Sequence, residues 1–159
     1  VNRLLCGIYV WRWGMDGALP YVYQEAFGDD PYGEASGGRR QHMLTYPSLR
    51  GSVSTLQWEA CREGIYDLRY VATLESWLER AKQGVNGLMG TGEEGDLRRA
   101  EDLMRAYADG AGTLERVRER VCLHPGQALR YWSADAFERL RDEVTDRILE
   151  LQQLLEAGK

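Results

Sequence analysis

The chain has 159 residues, a length that suits one domain of ordinary size with a hydrophobic core. Its 20 basic and 25 acidic side chains give a formal charge of −5, and they form no basic stripe of the kind that binds nucleic acid. No apolar stretch approaches the roughly 20 residues that span a bilayer. The composition therefore predicts a water-soluble segment without nucleic-acid or membrane partners, and it leaves the cellular compartment open.

Three cysteines, Cys6, Cys61 and Cys122, lie inside apolar runs at wide spacing. An odd number of cysteines without a CxxC pair argues against a disulfide framework and against a zinc site. The spacing therefore predicts three buried thiols and no metal, and no motif in the chain implies a cofactor.

Residues 3–11 form a short apolar run that is rich in β-formers and is followed by Gly14 and Gly17. This pattern predicts a strand that is buried on both faces, as in a parallel sheet. A strand needs hydrogen-bonded neighbours, and no equally clear strand follows it. We therefore expect its partners upstream of Val1, which makes the chain the C-terminal part of a larger protein. By itself, such a chain is expected to expose a sheet edge and to self-associate.

Residues 12–51 have the glycines and prolines of a long loop. The loop also contains many aromatic residues, which favours a functional loop over a disordered linker. Its acidic residues are candidate catalytic acids by type and position, although Asp-Asp-Pro at 29–31 is also typical of a turn. These candidates are Glu25, Asp29, Asp30 and Glu34.

Helical periodicity begins after this loop. A capping box at Ser54 predicts a helix over about 53–82, which Gly64 allows to bend or to divide in two. Thr91, Thr113 and Ser133 each have the form of a helix start, and the helix after Ser133 has the most regular apolar stripe. The predicted fold is mainly α with one N-terminal strand. The predicted division is residues 1–82, containing strand, loop and first helix, and residues 83–159, a helical extension. The extension is expected to pack on itself, with a coiled-coil dimer as the alternative.

Three segments together resemble a known family: Gly7-Ile-Tyr-Val-Trp-Arg-Trp13, Thr45-Tyr-Pro47, and the stretch from Ser54 to Leu74. They are similar to the C-terminal end of the family 123 glycoside hydrolases and of the related bacterial domain-of-unknown-function family 4091. The resemblance covers residues 1 to about 80, and its most specific part is Arg62-Glu63-Gly64-Ile65 with Asp67 and Tyr70. Residues 55–57 depart from it, because the family more often has Ile-Arg-Leu there.

The resemblance implies a (β/α)8 barrel whose last strand and helix belong to this chain. In the hydrolases, the catalytic acid and its neighbouring Asp lie on an earlier strand, so the resemblance assigns no catalytic residue here. Glycoside hydrolysis requires positioned carboxylates. We therefore expect a carbohydrate-binding contribution to a parent enzyme and no glycosidase activity from this chain alone.

The candidate substrate-binding residues are Trp11, Arg12, Trp13 and Tyr46. Active sites of parallel barrels lie at the C-terminal ends of the strands, where the predicted strand delivers the first three. Indole rings stack on the apolar faces of sugars, and a guanidinium donates hydrogen bonds to hydroxyl or acidic groups. The alternative is that both tryptophans only fill the end of the barrel.

The candidate structural motif is Arg62, Glu63, Gly64, Asp67 and Tyr70. Opposite charges at this spacing are often only a solvated ion-pair face of a helix. The resemblance favours a clamp that fixes the helix to the barrel. The rival to a glycoside hydrolase fragment is a noncatalytic helical module with a structural or interaction role.

Overall fold

The structure is a computed structural model, and it describes residues 1–19, 44–121, 124–128 and 130–157. These residues are mainly helical and include a small two-stranded antiparallel sheet, so the predicted mainly α class is confirmed. The chain divides into two compact units, Val1–Tyr66 and Asp67–Lys159, and helix α3 (Leu56–Thr91) contributes residues to both. The candidate acids Glu25, Asp29, Asp30 and Glu34, and also Cys122, lie outside the described residues.

The predicted N-terminal strand is wrong, because this segment forms two short helices, α1 (Asn2–Cys6) and α2 (Ile8–Arg12), on either side of Gly7. The buried positions Leu4, Gly7 and Ile8 follow the spacing of a helical face. A short apolar run does not separate strand from helix by its pattern. A helix satisfies its backbone groups locally, whereas a strand here requires neighbours that the described chain does not supply.

The end of the predicted loop is instead a β-hairpin. Strand β1 (Thr45–Ser48) pairs antiparallel with β2 (Gly51–Ser54), and Tyr46 lies opposite Val53. The connection is only two residues long, and Gly51 follows it with a φ of 127°. The Ser48 hydroxyl donates a hydrogen bond to the Gly51 carbonyl at 2.8 Å, which holds the turn closed.

The helix predicted over about 53–82 is α3, which begins later, at Leu56, and ends later, at Thr91. The Thr55 Oγ1 accepts a hydrogen bond from the Trp58 backbone N–H at 3.3 Å, in the manner of an N-cap. The same hydroxyl donates to the Leu44 carbonyl at 2.8 Å, and the Thr55 N–H also reaches that carbonyl. Thr55 therefore joins the hairpin to the helix, which then continues through Gly64 as far as Thr91.

In the second unit, the two helices predicted between Thr91 and His124 are one helix, α4 (Glu94–Arg120). Thr91 does not start it, because Thr91 is the last residue of α3 and the N-cap of α4 is Glu93. Thr113 does not start a helix and is buried inside α4, 2.9 Å from the Glu143 carboxylate and 3.1 Å from the Asp109 carbonyl. Gly110 does not end the helix either, because its missing side chain leaves room for Leu78. Tertiary packing thus overrides the local helix-breaking signals.

The last helix, α6 (Ala134–Glu156), is the one that the sequence predicts best. Ser133 is its N-cap, and its side chain accepts a hydrogen bond from the Ala136 N–H at 3.2 Å. A short helix, α5 (Pro125–Ala128), precedes it. Helix α6 packs along α4, and its predicted apolar stripe faces the core through Phe137, Leu140, Val144 and Leu151.

Polar contacts accompany this packing. Glu143 on α6 accepts hydrogen bonds from Arg116 and Thr113 on α4. Partial burial acts to raise the pKa of Glu143, but these hydrogen bonds and the charge of Arg116 outweigh it and hold the pKa below its usual range. The ion pair of Arg116 with Glu143 stabilises the packing of α4 against α6 within one chain.

Within the described ranges, none of the helices combines the length and the apolar character that crossing a membrane requires. The same residues contain no cluster of three or more His, Cys, Asp or Glu side chains suited to holding a metal ion.

Candidate functional site

The aromatic candidates lie together at the end of α2. The rings of Tyr9 and Trp13 are tilted by 57°, with their centroids 6.3 Å apart. The Arg12 guanidinium carbon lies 4.8 Å from the centroid of the Trp13 ring. Trp13 is 37% exposed, and Trp11 is half-buried. We call Tyr9, Trp11, Arg12 and Trp13 the aromatic cluster.

The structure places the fourth predicted binding residue on a different element of the same unit. Tyr46 lies on strand β1 and is half-buried. The residues of the aromatic cluster therefore lie together because they belong to α2 and the residue directly after it. Tyr46, in contrast, belongs to the hairpin. Tyr9 was not among the predicted binding residues, although its position four residues before Trp13 places the two side chains on one side of a helix.

Trp13 is therefore partly open to solvent and is contacted by both Tyr9 and Arg12. An Arg guanidinium above an indole ring contributes about 0.5–1 kcal/mol at an exposed position, and a tilted aromatic pair adds a similar amount. Such bracing restricts the rotamers of Trp13. A restricted side chain loses less conformational entropy when a ligand stacks on it.

Comparison of the chain with protein-family models, with curated proteins and with solved structures gave no match. The residues themselves therefore carry the functional argument.

The glycine of the motif marks the closest backbone approach in the first unit. Gly64 on α3 lies against the carbonyl of Arg3 and the backbone of Gly7, and a Cβ added at Gly64 would come 3.1 Å from the Gly7 nitrogen. A Cβ added at Gly7 would come 2.9 Å from the Gly64 Cα. Only a pair of glycines allows this contact. Gly64 thus holds the segment that carries the aromatic cluster against α3.

The two charged residues before Gly64 lie on the surface. Arg62 Nη2 is 2.7 Å from Glu59 Oε2 and 3.7 Å from Glu63 Oε1, with the Arg62 side chain half exposed. The guanidinium also lies 5.7 Å from the ring centroid of Tyr66. Exposed pairs of this type contribute about 0–1 kcal/mol to stability. Arg62 and Glu63 therefore have the geometry of a solvated ion-pair face.

The last two residues of the motif have a different environment, in the second unit. Asp67 is completely buried, and its Oδ1 accepts a hydrogen bond of 2.7 Å from Arg141 Nε on α6. The Arg141 guanidinium carbon lies 5.7 Å from the ring centroid of Tyr70. Arg141 thus contacts both Asp67 and Tyr70, so this half of the motif joins α3 to α6. No periodicity in the sequence indicates Arg141 as the partner.

The second unit also has an open apolar groove that the sequence did not indicate. Two adjoining cavities of about 260 and 340 Å³ share Tyr107 on α4. Their remaining lining comes from α3 and α4 and combines apolar with charged side chains, including Leu78, Val85, Met104, Glu79 and Arg118.

Proposed function

We propose that this chain is the C-terminal part of a glycoside hydrolase-like protein, in which the aromatic cluster forms one wall of a carbohydrate site. The observation that carries the proposal is the braced, partly exposed ring of Trp13 beside the guanidinium of Arg12. An apolar face next to fixed N–H donors is complementary to a sugar ring, which has apolar C–H faces and a polar rim. Trp11 and Tyr46 are the proposed secondary contacts.

The proposed role is binding rather than catalysis. Hydrolysis of a glycosidic bond requires two carboxyl groups about 5–5.5 Å apart for retention of configuration, or about 6.5–9.5 Å apart for inversion. The family resemblance assigns the catalytic carboxylates to an earlier part of the parent protein. In this proposal, the aromatic wall orients the sugar and the parent supplies the proton transfers.

The parent fold that the resemblance implies is a (β/α)8 barrel, and in this proposal α3 lies near its C-terminal end. The support is the sequence resemblance, because residues 2–12 form α1 and α2 and the hairpin β1–β2 is antiparallel, so neither supplies a strand of a parallel barrel. We predict that the coding sequence preceding Val1 continues in frame with further strand–helix units. A start codon adjacent to Val1 would contradict this part of the proposal.

A substitution in the aromatic cluster tests the carbohydrate site. We expect Trp13→Ala to weaken the affinity of the chain for its oligosaccharide by about two- to tenfold, since loss of an aromatic contact costs roughly 0.5–1.5 kcal/mol. Calorimetric titration against a panel of neutral, N-acetylated and acidic oligosaccharides measures the effect. Trp58→Ala is the matched control, because Trp58 belongs to the same unit and is also 37% exposed. Equal losses in both variants would contradict the assignment to the aromatic cluster.

The groove between α3 and α4 supports the rival function, a noncatalytic helical module. Tyr107 and Met104 line this groove and are 36% and 42% exposed, and exposed apolar patches of this kind mark interaction sites. A protein that binds only through this groove would retain its binding in the Trp13→Ala variant.

A further inference from the structure

Two cysteines of the first unit meet although 55 positions separate them in the chain. The Sγ atoms of Cys6 on α1 and Cys61 on α3 are 2.7 Å apart, and both side chains are free thiols. The sequence predicted buried thiols and no disulfide framework; Cys61 is buried, whereas Cys6 is only half-buried. Neither the odd number of cysteines nor their spacing reveals the contact between them.

The backbone around the two thiols fixes their approach. Cys6 directly precedes Gly7, and Cys61 lies one helical turn before Gly64. These are the two glycines whose backbones touch, so helix α1 lies against α3 at the position of the thiols. Disulfide formation requires Cβ atoms within a few ångströms of each other and backbones that do not have to move far. The Sγ atoms are 2.7 Å apart, close to the S–S bond length of about 2.05 Å, and the glycine contact holds the two backbones beside each other.

We propose that Cys6 and Cys61 form a reversible disulfide that covalently ties the segment bearing the aromatic cluster to α3. The oxidant in this proposal is a low-molecular-weight disulfide such as oxidised glutathione. The proposal is independent of the carbohydrate site, since it concerns only the two sulfur atoms and the elements that hold them.

The exchange balances in two steps. The Cys6 sulfur, after losing its proton, attacks one sulfur of oxidised glutathione, whose S–S bond breaks and releases one glutathione thiolate that takes up a proton. The Cys61 sulfur, after losing its own proton, then attacks the Cys6 sulfur of the mixed disulfide and releases the second glutathione. Two protein thiols are oxidised to one disulfide, and one glutathione disulfide is reduced to two thiols.

Cys6 is the more accessible of the two sulfurs and therefore the entry point. Burial, followed by the hydrogen bond and charge interaction with Cys61, raises the pKa of Cys6 to about 12. The reactive thiolate is therefore scarce at neutral pH, and its fraction grows about tenfold per pH unit below that pKa. We therefore expect disulfide formation to be slow at neutral pH. Its rate should rise about tenfold for each pH unit between roughly pH 7 and pH 9.

The test uses the full chain with Cys122→Ser, which leaves only the two proposed partners. After incubation with oxidised glutathione at about pH 9, we expect a mass loss of two hydrogen atoms, no alkylation by iodoacetamide once the chain is denatured without reductant, and a Cys6–Cys61 cross-linked peptide. We also expect a Tm higher by about 10 °C than in dithiothreitol, from closure of a long loop. Cys6→Ser is the control and should show neither the cross-link nor the shift. Two alkylatable thiols, a stable mixed disulfide or a dimer linked between chains after this incubation would overturn the proposal.

Discussion

Arg141→Met is expected to lower the free energy of unfolding by about 3–5 kcal/mol, because it removes the guanidinium that lies against a buried carboxylate. Asp67 has no exposed surface, and its Oδ1 is 2.7 Å from Arg141 Nε. Methionine has a similar length but carries no charge or donor. Urea unfolding followed by far-UV circular dichroism measures the loss.

Two further variants separate this effect from a general loss of packing. The double variant Asp67→Leu with Arg141→Met removes both charges, and we expect it to regain most of the lost stability, since a buried ion pair is often no better than apolar side chains of the same volume. Arg62→Met removes an exposed arginine from the same motif and should cost no more than about 1 kcal/mol. A loss for Arg141→Met as small as that for Arg62→Met would show that Asp67 is not dependent on this partner.

The second large effect is expected at Gly64. Gly64→Ala places a methyl group against the Arg3 carbonyl and 3.1 Å from the Gly7 nitrogen, and both neighbours are backbone that has no rotamer to change. We expect a loss of about 3 kcal/mol, at the upper end of overpacking costs, together with release of α1 and α2 from α3. Unfolding curves and the rate of proteolysis within the first 12 residues measure the two consequences.

The same helix provides the control. Gly87 also lies inside α3, and nothing lies within 4 Å of a Cβ added there. Gly87→Ala should therefore stabilise the chain by about 0.5–1 kcal/mol, which is the helix-propensity difference between the two residues. If Gly64→Ala were also stabilising, the close contact between Gly7 and Gly64 would be excluded.

The features that the sequence predicted best depend on local interactions. Helix α6 begins at its predicted cap, Ser133, and buries most of the predicted apolar stripe, because capping and periodicity are both encoded within a few neighbouring residues. The motif Arg62–Tyr70 lies on a helix, as predicted. The mainly α class follows from several such segments together.

The features that the sequence missed depend on long-range contacts. Residues 3–11 have the composition of a buried strand, and only the contact of Gly7 with Gly64 and the burial of Leu4 and Ile8 distinguish the helical alternative. Thr113 has the local form of a helix start, and its burial near Glu143 keeps it inside α4. In the same way, Arg141 and Cys61 acquire their roles from partners more than 50 positions away.

The candidate site was predicted in part for the same reason. Trp11, Arg12 and Trp13 are adjacent in sequence, so any regular backbone keeps them close together. Their bracing by Tyr9 requires a helical turn, which the predicted strand does not provide. In a strand, the side chains of Trp11, Arg12 and Trp13 would alternate between two faces. In the helix, Tyr9 and Arg12 instead lie close to the partly exposed ring of Trp13.

The most direct test of the proposed function is a nuclear magnetic resonance titration of the ¹⁵N-labelled chain with the oligosaccharide panel at millimolar concentration. We predict saturable shifts of the indole N–H signals of Trp11 and Trp13 and of the backbone amides of α2 and β1, with the signals of α4 and α6 unchanged. Shifts confined to residues around Tyr107, or no saturable shift with any oligosaccharide of the panel, would contradict a carbohydrate site at the aromatic cluster.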